Sequence, residues 1–128
     1  MGNAKFEQLD KFIFENLDVY QLSLELSIEI CKAVSNFPFK YSRIRDQFVG
    51  AIISIPLNIA EGNGRGSGKE KINFYKIARS SSFECIPLLA IIQSLGLIDR
   101  EKVLEYRQKI KRISRMLSGL ITYQKTKG

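Results

Sequence analysis

Any chemistry in this chain must be built without histidine, because none occurs among its 128 residues. Imidazole triads, cysteine–histidine nucleophiles and histidine-held metals are thereby excluded. The two cysteines, Cys31 and Cys85, stand 54 positions apart and cannot form a CxxC redox or zinc pair. Each lies in an apolar stretch, so both read as buried, reduced thiols. The glycine-rich run from Gly62 to Gly68 invites comparison with a phosphate loop, but the spacing fails. A Walker loop ending at Gly68-Lys69 requires glycine where Asn63 stands and a hydroxyl residue where Glu70 stands. The dinucleotide pattern fails at Ser67 and lacks a preceding strand. The run therefore reads as a turn between helices, with no cofactor, no metal and no enzyme implied.

Two polar groupings remain. Asn58, Glu61 and Arg65 follow one another at three and four residues, so they share a helix face, with Glu61 and Arg65 in the favourable ion-pair order. Asn58 lies two positions after Pro56 in an apolar run, where asparagine is a poor helix residue. The trio either satisfies backbone groups freed by the proline or contacts another subunit. The second grouping is basic. The formal charge is +7, and residues 99–128 alone carry nine Lys/Arg against three acids. Arg100, Arg107, Lys111 and Arg115 fall on one side of a helix over about 22 Å, with Arg112 adjoining the row. Such a row suits an anionic partner, nucleic acid above all, through phosphate contacts. No set of RNA-stacking aromatics interleaves with it, so sequence-specific single-strand recognition is not indicated.

These groups need elements to hold them. Apolar spacing near 3.5 residues dominates and strict alternation is absent, which indicates an all-α chain. The first helix runs from Asp18, as N-cap, to about Asn36, on a stripe of Val19, Leu22, Leu26, Ile30 and Ala33 that Leu24 and Ile28 widen. Pro38 stops it. The second starts near Tyr41 or Ser42 and carries Ile44, Phe48, Ile52, Ile55 and Ile59, with a bend expected at Pro56 because the Ile52 carbonyl loses its donor. The third starts at a Ser67–Glu70 capping box, carries Ile72, Tyr75, Ala78, Ser82, Ile86 and Leu89, bends at Pro87 and ends at Gly96. Asp99 caps the fourth, where Val103, Tyr106, Ile110, Ile113, Leu117 and Leu120 make a seam spaced 3-4-3-4-3. The expected fold is an antiparallel up-down-up-down four-helix bundle over residues 18–124, after a partly ordered lead-in (1–17) and before a frayed tail (125–128). No run is apolar enough to span a bilayer and Met1–Asp10 lacks a signal-peptide core, so the chain reads as cytoplasmic, with no membrane role.

The run Ser54-Ile55-Pro56-Leu57-Asn58-Ile59-Ala60-Glu61-Gly62, followed by Gly64-Arg65-Gly66-Ser67, resembles the four-helix-bundle proteins encoded in intervening sequences of bacterial large-subunit ribosomal RNA genes. The resemblance spans about residues 15–98 and takes in Leu17-Asp18-Val19-Tyr20, Phe37-Pro38, Gln47, Phe74, Ala78-Arg79, Ser81 and Glu84. It departs at Ser80, where glycine is expected, and at Pro87. The resemblance implies a four-helix bundle, often assembled as a ring-shaped homopentamer. It also implies likeness in fold to the accessory protein of diversity-generating retroelements, which binds nucleic acid and a reverse transcriptase. No enzymatic activity attaches to the family. The expected function is a non-enzymatic, oligomeric module that binds structured RNA or duplex through the basic fourth helix; the alternative is a protein–protein adaptor or structural bundle whose basic residues serve solubility.

Overall fold

A computed structural model of the protein describes residues 12–127. The expected lead-in before residue 12, and Gly128 of the expected tail, lie outside the described residues. Four α-helices follow a single 3-10 turn at Ile13–Asn16: α1 (Asp18–Ala33), α2 (Ser42–Asn63), α3 (Gly68–Ser94) and α4 (Arg100–Lys127). A second 3-10 turn, Phe39–Tyr41, leads into α2, and no strand occurs among the described residues.

The helix ends show local chemistry at work. Ser67 caps α3 by accepting a hydrogen bond from the Glu70 amide at 3.2 Å, and Asp99 caps α4 by accepting from the Lys102 amide at 2.9 Å. Gly96 adopts φ +71°, and the Leu97 and Gly96 amides donate to the Ile92 and Gln93 carbonyls. That is a Schellman ending, which needs a residue free of the Cβ penalty. Asp18 is not a cap. Leu17 takes that position in extended geometry with no side-chain cap, because its side chain packs on the core and fixes the chain one residue earlier. Asp18 instead places its charge in the first turn, where the helix dipole favours an acid. The helix stops at Ala33, short of Asn36, and the turn at Val34–Asn36 brings Phe37 into the core. At the other end α4 continues beyond Gln124 to Lys127.

One core joins the helices: Leu26 and Ile30 from α1, Phe48, Ile52, Ile55 and Ile59 from α2, Tyr75, Ala78, Cys85 and Leu89 from α3, and the α4 seam. That seam is Val103, Tyr106, Ile110, Ile113, Leu117 and Ile121, with Ile121 in the place expected for Leu120, which is only half-buried. A strict alternation of threes and fours averages 3.5 residues, whereas a straight helix turns every 3.6 and must sometimes take an extra four. Contacts between neighbouring helices descend in one as they ascend in the other. Gly62 meets Phe74 and Tyr75 while Ser54 meets Ser81, and Gly68 lies by Gln124 while Arg79 bonds Ser118. Each of these pairs is therefore antiparallel.

Both prolines sit inside continuous helices. Pro56 is buried, so the Ile52 carbonyl it strips of a donor cannot turn to water. Ser27 of α1 answers it: its buried hydroxyl lies 2.7 Å from the Ser23 carbonyl and 3.2 Å from that of Ile52. Pro87 is exposed, and so is Phe83, whose carbonyl it leaves free; solvent can serve there. Gly62 is buried where α2 approaches α3 closely, and a Cβ there would stand 2.9 Å from the Phe74 Cβ.

Three substitutions, read by their effect on stability, check this packing. Ser27→Ala is expected to cost about 1–3 kcal/mol in denaturant unfolding, as a buried carbonyl loses its partner. The cost should shrink in a Pro56→Ala background, where the residue-56 amide returns; equal costs in both backgrounds would break the link. Gly62→Ala should destabilise, since overpacking at about 1–3 kcal/mol outweighs a helix-propensity gain of at most about 1. Gly119→Ala, on an exposed stretch of α4 with nothing within 4 Å of the new Cβ, should instead stabilise by roughly 0.5–1 kcal/mol.

Candidate nucleic-acid interface

Once the α4 seam is buried, helix geometry dictates where its neighbours go. Arg107, Lys111 and Arg115 recur every four residues beside the seam and are exposed. They border a groove of about 530 Å³ between α3 and α4. Its apolar lining comes from Phe83 and Ile86 of α3 and Leu104 and Ile110 of α4, with Gln108 and Ser114 as polar members. Arg100 and Arg112 are exposed but stand outside this groove. The structure thus gathers three of the five basic candidates around one concavity.

Electrostatics separates these cations from the other basic residues of α4. Lys102 and Lys109 are held by acids: Lys102 lies 3.3 Å from both Glu29 and Glu105, and Lys109 lies 3.3 Å from Glu29 and 3.4 Å from Glu105. Donating hydrogen bonds to Glu29 and Glu105 raises the Lys102 pKa, while accepting them from Lys102 and Lys109 lowers that of Glu105. For Lys109, burial pulls downward and the two carboxylates more than offset it. Among the described residues, by contrast, Arg100, Arg107, Lys111, Arg112 and Arg115 have no carboxylate within 4.0 Å. Glu29 belongs to α1, eighty residues from Lys109, so sequence spacing could not reveal which lysines it neutralises. Phe83 was missed for the same reason. It sits one position beyond the buried Ser82, off the apolar stripe of α3, and an exposed aromatic there was the available signal.

The trio of α2 divides. Asn58 is half-buried, and its amide donates to the Ser54 carbonyl at 2.8 Å and the Ser54 hydroxyl at 3.0 Å; that hydroxyl meets Ser81 of α3 at 2.9 Å. Glu61 and Arg65 pair at 3.2 Å on the surface, with the guanidinium 4.6 Å from the centre of the Phe74 ring. Neither group bonds Asn58. The freed Ile52 carbonyl is served by Ser27 and not by this trio. The glycine run is the turn its spacing indicated, and Lys71 closes it by donating to the Asn63 carbonyl at 2.6 Å.

A second groove, of about 800 Å³, runs between α1 and α2 and is almost wholly apolar. Leu24 and Ile28 of α1 and Ile53 and Leu57 of α2 are exposed along it, Leu57 to 64%. Among the described residues, the widened stripe of α1 is therefore covered on one side only. Of the two cysteines, Cys31 lines this groove and Cys85 is buried, its thiol pushed up to about 12 by burial, with Glu84 adding to the shift. A thiol so held is protonated at neutral pH and supplies no thiolate nucleophile. Among the described residues no cluster of three metal-ligating side chains occurs, and no helix is long and apolar enough to cross a membrane.

Comparison with known proteins agrees with this architecture. The crystal structure of a protein of unknown function from the S23 ribosomal protein family of Bacteroides thetaiotaomicron superposes with a TM-score of 0.73 at 25% identity, over 80% of this chain and 97% of that one. No curated protein matches the chain. The family model described as 23S rRNA-intervening sequence protein matches residues 15–119. With that match running from the 3-10 turn before α1 well into α4, the chain belongs to the 23S rRNA-intervening sequence protein family.

Proposed function

We propose that this chain is a non-enzymatic, oligomeric module that binds nucleic acid by holding phosphates along α4. The observation that carries the reading is the contrast within one helix. Lys102 and Lys109 are neutralised by Glu29 and Glu105, whereas Arg107, Lys111 and Arg115, extended by Arg100 and Arg112, face solvent with no acid in contact. Cations kept clear of acids on one face are the footprint of a polyanion site.

Assembly follows from the apolar groove between α1 and α2. Exposed Leu24, Ile28, Ile53 and Leu57 form a continuous apolar face, and a second copy of the chain covers it in this reading. Five copies, the number the family resemblance implies, would carry about +35 and bind one polyanion with avidity that a single helix lacks. The two cysteines are free thiols, the state that the reducing cytoplasm maintains, and we place the module there. The same apolar face also suits an adaptor that docks a partner protein, the reading that stands if nucleic acid is not bound.

A salt titration tests the proposal. Affinity for structured RNA and for duplex DNA should fall linearly in log–log form, with a slope set by the phosphates neutralised. Replacing Arg107, Lys111 and Arg115 together by Gln should leave helicity unchanged, since all three are exposed, and should lower the slope by about 2–3. Unchanged affinity in that variant would move the site, most directly to Lys69–Lys71 at the start of α3. Unmeasurable binding of the unaltered protein at about 50 mM salt would overturn the reading, because phosphate contacts are strongest there.

A further inference from the structure

We propose that the groove between α3 and α4 receives one unpaired base of a single-stranded or bulged nucleic-acid segment, stacked on Phe83, while Arg107, Lys111 and Arg115 hold the flanking phosphates. The proposal rests on the phosphate-binding reading above and specifies what that site prefers. A duplex keeps its bases stacked inside and needs only a smooth basic face. Here the basic row borders a concavity of about 530 Å³, within the usual size range of small-ligand pockets.

The chemistry of the walls fits a base. Phe83 is 57% exposed and Leu104 is 45% exposed, so a flat aromatic face and an aliphatic side chain both meet water at the groove. An aromatic face beside cations is the pairing that single-strand binders use, because every base has a π-face and every link has a phosphate. Gln108 and Ser114 stand in the lining with donors and acceptors for base edges. The cations recur every four residues, about 6 Å apart along the helix axis, which is the scale of one nucleotide step in an extended strand. A regular row of this kind favours a polymer with one charge per unit over an acidic peptide with irregular charge. A single aromatic at the groove sets the number of bases at one.

Fluorescence anisotropy with a short uridine oligonucleotide and a blunt duplex of equal phosphate count tests the idea on the full chain. The unaltered protein should bind the single strand more tightly. Phe83→Ala should weaken single-strand binding by about 5- to 150-fold, the span of one lost base–aromatic stack, and duplex binding by less than about two-fold. Phe83 is largely exposed, so the variant should fold, and its thermal melt checks this. Phe83→Leu keeps apolar bulk without the flat ring and should lose most of the same affinity. Single-strand binding retained in both variants, with salt-dependent binding intact, would overturn the base pocket and leave the phosphate reading standing. Retention in Phe83→Leu alone would also overturn it and would favour an acidic amphipathic peptide. Binding of neither nucleic acid by the unaltered protein would remove both readings together.

Discussion

Burial of the α4 seam against the bundle is the constraint on which the rest of this molecule depends. Val103, Tyr106, Ile110, Ile113, Leu117 and Ile121 are removed from water, and a helix turned to bury them has no freedom left in where its other residues point. Arg107, Lys111 and Arg115 then emerge beside α3, next to Phe83 and Ile86, while Lys102 and Lys109 emerge beside α1 and Glu29. The same hydrophobic contact thus sorts the basic residues of α4 into two sets. One is answered by carboxylates of the bundle, and the other has no carboxylate in contact among the described residues. Tyr106 sits where the sorting occurs, its hydroxyl buried with no hydrogen-bond partner among the described residues; burial, with Glu29 adding to it, raises the phenol above its ordinary pKa.

The α2–α3 contact fixes α3, and with it Phe83 at the groove beside α4. It depends on Gly62, where the backbone comes within reach of Phe74 and Tyr75, and on the Asn58–Ser54–Ser81 hydrogen bonds in the middle of the helices. The residues by which the sequence resembles its family fall largely here. Ser54, Asn58 and Ser81 meet one another, and Arg65 meets Phe74. Their shared placement is in the packing of one helix on the other. Pro56 ties α2 to α1 in the same way, because its cost to α2 is offset by a hydroxyl from α1.

Much of the fold was legible because apolar spacing is a local property. The α2 stripe from Phe48 to Ile59, the caps at Ser67 and Asp99 and the left-handed Gly96 all depend on residues a few positions apart and are found where that spacing puts them. In α3, by contrast, Cys85 takes the core position expected for Ile86, which is half-buried at the groove. Errors arose where tertiary contact outweighed a local preference: Leu17 anchors the start of α1 although Asp18 is the better cap, and Ile121 replaces Leu120 as the helix drifts from a 3.5 repeat. The site follows the same division. The arginine row lies on one helix and could be read from its four-residue period. Phe83 and Glu29 come from other helices, and their side chains reach α4 only through the fold, so no spacing rule reports them. That is why the sequence suggested a site for phosphates alone while the structure adds an aromatic face beside them.

The central claim is one of place: nucleic acid meets the α3–α4 groove, and the α1–α2 face stays apart from it. Methyl NMR on the full chain tests this directly, because isoleucine and leucine methyls report from both grooves. Titration with a short single strand should shift the Ile86, Leu104 and Ile110 methyls and leave Leu24, Ile28 and Leu57 in place. Shifts confined to Leu24, Ile28 and Leu57, or spread evenly over both sets, would contradict the account.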